Sequence, residues 1–412
     1  MSILSLYKIL KNSALNLSSG TSVVLINQIS ILICLPFLTK SLGFETFGFL
    51  TQALIIYQVS AVFMDFGCNY SSVYFIKSDE QKNLSLEDFI LPIFAIKLII
   101  FLIILTINFT VNFILHFTNL SILVFTLMNI TIFLAGNNPS WIYQINLQNY
   151  SLLKSTLIAR LIFLFIVFNF IHDPSDLHWY FIALISCFFI INVYAIYFYR
   201  AIKLSLSGFK FFFKIIRISF SYFISLVFNF HLNSLWALGL LILGTNSQLI
   251  FFNLADQVYR ALNGLSASIP SNIYSKYTKS IEFLNAIKLA LIISFLLVIA
   301  YVFLYLFIDE VIILFFDEAY YSSIIYIKIY IIASLFLSLI GIMGFPVLGL
   351  ISSSNKVKKI ILFGGVINLL LFLSWIFLFE QSVLNIVLIH LFINIFIFLI
   401  QFILILINLT KK

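Results

Sequence analysis

The sequence predicts an all-α polytopic membrane protein with about twelve transmembrane helices. The first observation behind this prediction is composition: 63% of the 412 residues are hydrophobic and only 9% are charged, whereas a soluble globular protein carries about 25% charged residues. The second observation is a regular succession of long apolar segments. The third is a one-sided distribution of Lys and Arg among the connecting loops. Together these observations exclude a soluble protein.

Breaks in hydropathy divide the chain into twelve segments, each long enough to cross a bilayer at about 20 residues per helical span. The predicted spans are 13–39, 47–75, 89–114, 119–146, 151–171, 178–199, 215–243, 247–273, 284–308, 322–350, 358–379 and 384–408. A count of eleven is the alternative, and it would place the two termini on opposite sides of the membrane.

Loop charge favours twelve spans with both termini in the cytoplasm, because cytoplasmic loops are enriched in Lys and Arg. The chain has 23 Lys and Arg residues. With twelve spans, Lys40 is the one that falls in an outer loop, four lie within spans, and all the others lie at the inner side. The net charge of +8 is therefore a topology signal, and no nucleic-acid partner is expected.

The chain divides into two halves of six spans. The connection between them, RAIKLSLSGFKFFFKIIR at 200–217, is basic and aromatic, which is typical of an interfacial helix or of an ordinary positively charged loop. We therefore predict an N-terminal lobe at 1–199, a cytoplasmic basic linker at 200–214 and a C-terminal lobe at 215–412. Leu42-Gly43 and Leu243-Gly244 occupy equivalent positions after the first span of each half, which is consistent with a repeat.

A polar stripe marks the eighth span, FFNLADQVYRALNGLSASIP. Asp256 and Arg260 are four residues apart, so on a helix they share a face and can pair. Arg260 lies about thirteen residues from the outer end of its span, roughly 20 Å deep at about 1.5 Å per residue, where the side chain cannot easily reach water. Ionisable groups at this depth face protein or a water-filled cavity. The stripe is either the lining of a pathway or a structural ion pair.

Three charges of the first half share a depth near the cytoplasmic side: Asp65, Lys97 and Arg160. They are predicted either to form one buried cluster that receives an anion, or to divide into a snorkelling Lys97 and an Asp65–Arg160 pair. Lys328 lies close to the outer face and is explained by snorkelling.

Two further features concern mechanism and chemistry. Gly341, Gly344, Pro346 and Gly349 cluster in span ten, which predicts either a bent or unwound helix or close packing of small residues. No catalytic motif or metal-ligand spacing is found in the sequence, so neither an enzyme nor a cofactor is expected.

Three stretches resemble the Wzx-type O-antigen flippases of bacterial surface polysaccharide synthesis, and one of them, around Asp256–Pro270, resembles the family's eighth span. The first runs from Leu35 to Lys77 and contains Pro36, the Leu42-Gly43…Phe47-Gly48 turn and the element Asp65-Phe66-Gly67-Cys68-Asn69. The second is NPSWIYQ at Asn138–Gln144, which resembles the Pro-x-Trp-x-x-Gln element of the family's fourth span. The Gly and Glu that commonly follow are replaced here by Ile145, Asn146 and Leu147.

The resemblance implies two six-helix bundles around a central cavity, as in the multidrug/oligosaccharidyl-lipid/polysaccharide exporter superfamily. It implies that the protein moves undecaprenyl-diphosphate-linked O-antigen repeat units from the cytoplasmic to the periplasmic leaflet of the bacterial inner membrane by alternating access. The implied partners are this lipid-linked oligosaccharide, membrane lipids, and the polymerase and chain-length regulator of the same pathway. Coupling to a proton or a sodium gradient is an open alternative.

The resemblance also implies a cavity lined with cations, and Arg160 and Arg260 fit that role by residue type and placement. The other expected roles come from side-chain type and depth. Basic side chains would receive the diphosphate, with Asp256 holding Arg260 between substrates. The full set of expected binding residues is Arg260, Asp256, Arg160, Lys97 and Asp65. Aromatic and amide side chains would contact sugar rings, and the candidates are Trp141, Gln144, Asn253, Gln257 and Tyr259.

Two other functions are weighed. A cation-coupled multidrug exporter of the same superfamily would use Asp65 as its coupling carboxylate, but such exporters mostly carry cations, which a basic cavity repels. An integral-membrane O-antigen polymerase would be expected to carry a large outer loop with arginines, whereas the outer loops here are short and acidic.

Overall fold

The computed structural model describes twelve stretches of the chain: residues 3–69, 71–72, 87–114, 121–146, 148–198, 206–230, 232–266, 269–270, 273, 283–352, 354–378 and 380–410. Helices are the regular elements of these stretches, and no strand occurs among them. This is the fold expected in a bilayer, where each backbone N–H and C=O must find its partner within the protein. The protein is therefore an all-α, multi-pass membrane protein, as predicted.

The first helix, α1, runs from Ile3 to Asp65 and contains the first predicted span and residues 47–65 of the second, which was predicted to continue to 75. A turn with positive φ at Phe66 and Gly67 ends the helix earlier. The apolar part of α1, Ser22–Asp65, has 44 residues. At about 1.5 Å per residue this part is far longer than a bilayer core of about 30 Å. Gly43 divides it, because its φ of 68° and ψ of 170° are not helical and glycine adopts positive φ without steric cost. The predicted turn at Leu42-Gly43 is thus a break within one assigned helix.

The remaining helices of the first half correspond to predicted spans three to six. Their bounds are α2 at Glu87–Phe109, extended by a π-helix at Thr110–Ile114, α3 at Ile122–Gly136, α4 at Ser140–Ile145, α5 at Asn149–Phe170 and α6 at Leu177–Phe198. Predicted span four is divided between α3 and α4, and Pro139 lies in the break. Proline lacks the N–H that a continuing helix would need.

The second half begins with a 3₁₀-helix at Leu206–Phe211. The helices that follow are α7 at Phe212–Phe230, α8 at Leu232–Leu243, α9 at Asn246–Ser266, α10 at Phe283–Phe315, α11 at Ile324–Met343, α12 at Gly349–Ile351, α13 at Ser354–Leu378 and α14 at Val383–Thr410. Short 3₁₀ and π segments, at Glu318–Ser323 and Gly344–Leu348, flank α11. Gly244, the counterpart of Gly43, separates α8 from α9.

Nine segments of the described chain are long and apolar enough to cross a membrane. One of the nine, Ser22–Asp65, contains most of the first two predicted spans. The helices α7 and α8 lie on either side of residue 231, which is outside the described residues, and together they correspond to predicted span seven. Helix α9 is too polar to be counted by composition. With these, each of the twelve predicted spans corresponds to a helical segment.

The predicted distortion in span ten is a π-helix. Helix α11 ends at Met343, and the chain continues as a π-helix over Gly344–Leu348, with Pro346 inside it. Close packing occurs as well, because a Cβ atom on Gly341 would lie 3.0 Å from Cγ of Pro270. Both interpretations of the glycine cluster therefore hold.

The chain forms two compact units. The first unit comprises the residues up to Asn27 together with Ser41–Leu238, and the second comprises Gln28–Lys40 together with Gly239–Lys412. The predicted lobe boundaries at 199 and 214 stay a prediction, and residues 200–205 of the predicted linker lie outside the described residues.

Each unit has its own helix packing. In the first unit α6 packs against α3 and α5, and the 3₁₀-helix Leu206–Phe211 packs against α2. In the second unit α11 is central, because it packs against α9, α10 and α14. The polar residues discussed below lie on these packed helices.

Candidate functional site

Helix α9 carries the predicted polar stripe. Asp256 and Arg260 form an ion pair one helical turn apart, with 2.6 Å between Oδ2 and Nε. Asp256 is 2% exposed, whereas the side chain of Arg260 keeps 28% of its surface exposed. The carboxylate is therefore fixed inside the second unit, and the guanidinium reaches from it toward an accessible surface.

This ion pair leaves part of its hydrogen-bonding capacity unused. Asp256 Oδ1 and Arg260 Nη2 are buried, and neither has a hydrogen-bond partner among the described residues. A guanidinium is planar and can bind a phosphate through two parallel N–H bonds while other N–H groups hold a carboxylate. Arg260 thus combines a fixed position with a free donor suited to an anionic ligand.

An aromatic and amide cluster fixes α9 against α11 and α14. The ring of Tyr259 stacks on that of Tyr330 with 4.7 Å between centroids, and the hydroxyl of Tyr259 accepts a hydrogen bond from Asn394 Nδ2 at 3.2 Å. Asn394 Nδ2 also lies 3.0 Å from the carbonyl of Ala333, and Tyr330 Oη lies 2.8 Å from His390 Nδ1. The charge of Asp256 lies close enough to interact with both tyrosines.

Two amides continue the stripe along α9. Gln257 Nε2 donates to Asn253 Oδ1 at 3.4 Å, and both residues are buried. In the described conformation these two amides are therefore buried and bonded to each other, and they lie close to the ion pair in sequence.

Arg160 on α5 is buried and forms no ion pair with a carboxylate among the described residues. Its Nε donates to Asn27 Oδ1 at 2.7 Å, and its Cζ lies 5.4 Å from the centroid of the Phe163 ring. Its charge interacts with the side chains of Tyr57 and Cys187. Arg160 Nη1 is buried and has no hydrogen-bond partner in the described part of the chain, so this guanidinium also keeps a free donor.

Lys97 on α2 is 2% exposed, and it is engaged by backbone. Its Nζ donates to the carbonyl oxygen of Gly136 at 2.7 Å, at the end of α3. The last carbonyls of a helix have no partner within that helix, and a cation there also interacts favourably with the helix dipole. Lys97 therefore caps the break in predicted span four.

Asp65 ends α1 in a tight turn. The two residues that follow have positive φ, 46° at Phe66 and 70° at Gly67. The carboxylate interacts with the backbone N–H groups of Gly67 and Asn69 and with the charge of Lys97. Asp65 Oδ1 is buried without a hydrogen-bond partner among the described residues.

The three charges predicted to lie at one depth are thus engaged in two different ways. Asp65 and Lys97 are close enough to interact electrostatically, whereas Arg160 bonds to Asn27 and forms no ion pair with Asp65 in the described part of the chain. Lys328, explained above by snorkelling, pairs with Asp309 at 2.6 Å.

The residues expected to contact sugars are largely packed in this conformation. Trp141 on α4 lies in an apolar cluster with Phe89, Ile93 and Ile215, and Tyr259 is 4% exposed. Gln144 lies in α4, but its side chain is outside the described part of the structure. A sugar contact through Trp141 or Tyr259 would require their neighbours to move.

Four polar partners escaped the sequence prediction: Asn27, Tyr330, His390 and Asn394. A signal for some of them is present, because His390 and Asn394 are four residues apart on α14 and so share a helical face. Nothing in the sequence indicates that this face of α14 packs against Tyr259 on α9.

Comparison with known proteins identifies the family. A family model described as "Polysaccharide biosynthesis protein" matches residues 13–274, and no curated protein matches the chain.

Among solved structures, the lipid II flippase MurJ in an inward closed conformation is similar at a TM-score of 0.65 and 14% identity, over 99% of this chain and 88% of that one. An inward-facing multidrug resistance MATE transporter of the MOP superfamily is similar at a TM-score of 0.58 and 14% identity, over 97% of this chain and 99% of that one. A MOP superfamily transporter from Pyrococcus furiosus is similar at a TM-score of 0.58 and 14% identity, over 97% of this chain and 96% of that one. These similarities show that the fold is that of MOP-superfamily transporters. Since the family model covers more than half of the chain, the chain belongs to the family of polysaccharide biosynthesis proteins.

Proposed function

We propose that the protein is a flippase that moves undecaprenyl-diphosphate-linked O-antigen repeat units from the cytoplasmic to the periplasmic leaflet of the bacterial inner membrane by alternating access. Membership of a polysaccharide biosynthesis family supports a saccharide cargo, and similarity of fold to a lipid II flippase supports a lipid-linked one. In this proposal both termini lie in the cytoplasm, where the basic loops are expected.

One observation carries the proposal: two membrane-buried guanidinium groups, on Arg260 and Arg160, each keep a buried N–H donor with no partner among the described residues. A buried cation with a free donor gains from an anionic ligand that supplies the missing bonds. A diphosphate is such a ligand, since it offers several charged oxygens to a planar donor.

The other candidate residues have supporting roles in this proposal. Asp256 holds Arg260 in place between substrates, because its Oδ2 already accepts from Nε. Lys97 and Asp65 stabilise the ends of α3 and α1 in the described conformation, and they bind substrate in another state of the cycle. Asn253 and Gln257, with Gln144, Trp141 and Tyr259, meet the sugars when the helices separate.

A cation-coupled multidrug exporter is the nearest rival. The positive charge of Arg160 argues against it, because Arg160 is bonded to a neutral amide and its charge repels cationic drugs. Membrane enzyme activity, such as that of an O-antigen polymerase, is also not part of the proposal.

Coupling to a proton or sodium gradient would supply the driving force for the proposed transport. The pathway's polymerase and chain-length regulator are the proposed protein partners.

The proposal is tested by deletion and complementation in a host that makes O-antigen. The deletion strain is expected to accumulate the lipid-linked repeat unit in the cytoplasmic leaflet, and the wild-type gene should restore the lipopolysaccharide ladder. Arg260→Ala should fail to restore it at normal membrane levels, whereas the exposed control Lys288→Ala should succeed. Loss of chain length alone, without accumulation of single repeat units inside, would indicate a polymerase instead.

A further inference from the structure

The segment from Leu206 to Phe230 combines exposed aromatic rings with exposed cations. Lys210, Lys214 and Arg217 are exposed to solvent or lipid, and no ion pair is found for them among the described residues. On the same segment Phe213 is 83% exposed and Leu206 is 74% exposed. Apolar and cationic side chains that are exposed side by side are typical of helices that lie in the membrane interface.

The helical wheel of α7 separates these two kinds of side chain. At about 100° per residue, Phe220 lies about 20° from Phe213 on one side, and Arg217 and Lys214 lie about 40° and 100° from it on the other. The buried residues Ile215 and Ser219 lie on the opposite face. The exposed face of α7 therefore has an aromatic edge and a cationic edge, which are suited to acyl chains and headgroups respectively.

The remaining surface of this segment is docked on other helices of the first unit. Ser219 Oγ lies 2.7 Å from Ser71 Oγ, and the rings of Phe66 and Phe223 stack with 5.3 Å between centroids. The 3₁₀-helix packs against α2, where the backbone of Gly208 lies against the carbonyl of Asp88. The exposed face is thus held in a fixed orientation, next to the Asp65–Gly67 turn.

From this arrangement we infer that Lys210, Lys214 and Arg217, with Phe209 and Phe213, form a binding surface for the headgroups of anionic phospholipids. Charge complementarity selects the occupant, because three unpaired cations attract an anionic leaflet and have little to gain from a zwitterionic one. The exposed rings insert among the acyl chains beside them, as aromatic side chains do at membrane interfaces. This surface does not depend on which substrate the protein carries.

Through this docking, side-chain contacts connect the proposed lipid-binding surface to charged residues of the first unit. The helix that carries the cations stacks on Phe66, and Phe66 adjoins Asp65, whose carboxylate interacts with Lys97. A contiguous set of contacts thus leads from the proposed lipid-binding face of α7 to the end of α1.

The test uses the full-length protein in nanodiscs of pure phosphatidylcholine and of an equal mixture of phosphatidylcholine and phosphatidylglycerol. The thermal unfolding midpoint of the wild type should be higher in the anionic nanodiscs. The triple variant Lys210→Gln/Lys214→Gln/Arg217→Gln should lose most of this shift. A matched triple, Lys356→Gln/Lys358→Gln/Lys359→Gln, removes the same charge from the start of α13, which is another predicted cytoplasmic position, and should keep the shift.

Three outcomes would overturn the inference. The first is a full anionic-lipid shift in the Lys210 triple variant, and the second is an equal loss in both triples, which would reflect net charge alone. The third is a shift produced in neutral nanodiscs by added polyprenyl diphosphate but not by phosphatidylglycerol, which would assign the surface to the substrate lipid. Phe213→Ser provides a second variant, and it should reduce the shift without changing the net charge.

Discussion

Lys97 Nζ donates to the carbonyl oxygen of Gly136 across 2.7 Å, and so joins α2 to the end of α3. Lys97 was expected to line a substrate cavity, but in the described conformation it caps an interrupted membrane helix. A helix end buried in the membrane needs such a partner, because lipid cannot supply one.

Lys97→Met tests this cap. Met keeps the length and apolar stem of the side chain but leaves the Gly136 carbonyl without its donor, and an unsatisfied buried group costs about 1–3 kcal/mol. The variant should unfold at lower temperature in detergent than the wild type. The control is Lys288→Met, whose native side chain is exposed, and it should be close to neutral. Equal stability of the two variants would show that the Lys97 contact does not stabilise the protein.

Gly67→Ala tests the docking of α7. Gly67 has a positive φ of 70°, so alanine there meets a backbone cost of about 1–2 kcal/mol. A Cβ on Gly67 would also overlap backbone atoms of Ser219 and Phe223. Gly67→Ala should therefore destabilise by about 1–3 kcal/mol beyond that backbone cost, measured by thermal unfolding. Gly349→Ala provides the control, because Gly349 lies in α12 and the atoms nearest to an added Cβ are at ordinary contact distances of 3.8 Å or more. A loss of stability no larger than the backbone cost would mean that α7 is not docked as described.

The Tyr330–His390 hydrogen bond can be measured by a double-mutant cycle. Tyr330→Phe and His390→Leu each remove the 2.8 Å contact, and their coupling energy should be about 1 kcal/mol. Tyr326→Phe provides the control, because no hydrogen bond of its hydroxyl is found among the described residues. Additive effects of Tyr330→Phe and His390→Leu would mean that the contact contributes nothing.

Gln401 on α14 is fully buried, and both its amide nitrogen and its amide oxygen have no hydrogen-bond partner among the described residues. Methionine has a similar volume and no amide to satisfy. Gln401→Met should therefore stabilise the protein by about 1 kcal/mol or more. The contrasting variant is Asn394→Leu, which loses bonds to Tyr259 and Ala333 and should destabilise it. A destabilised Gln401→Met would show that this amide has a partner.

The number and placement of the membrane spans follow from the sequence, because hydropathy and loop charge are properties of whole segments. Twelve spans could be placed this way even though α9 is polar and α1 runs through the first span into the second. The break at Gly43 is also encoded locally, since glycine is suited to a positive φ. The packing partners of individual side chains could not be predicted in this way, because they depend on which helix faces meet.

The candidate site shows this limit. The Asp256–Arg260 pair was predictable because both residues lie on one helix, at i and i+4. The partner of Arg160 was not, since Asn27 is 133 residues away and is one amide among many in this chain. Lys97 has a backbone carbonyl as its partner, and side-chain patterns give no signal for such a partner.

Transbilayer movement of a purified lipid-linked O-antigen repeat unit in proteoliposomes tests the central claim most directly. The wild-type protein should move the diphosphate-linked unit across the bilayer. Arg260→Ala should lose most of this activity while remaining folded, and Arg260→Lys, which keeps the charge but not the planar donor, should retain part of it. Movement by Arg260→Ala at the wild-type rate would contradict the account, as would a wild-type protein that leaves the lipid in its original leaflet.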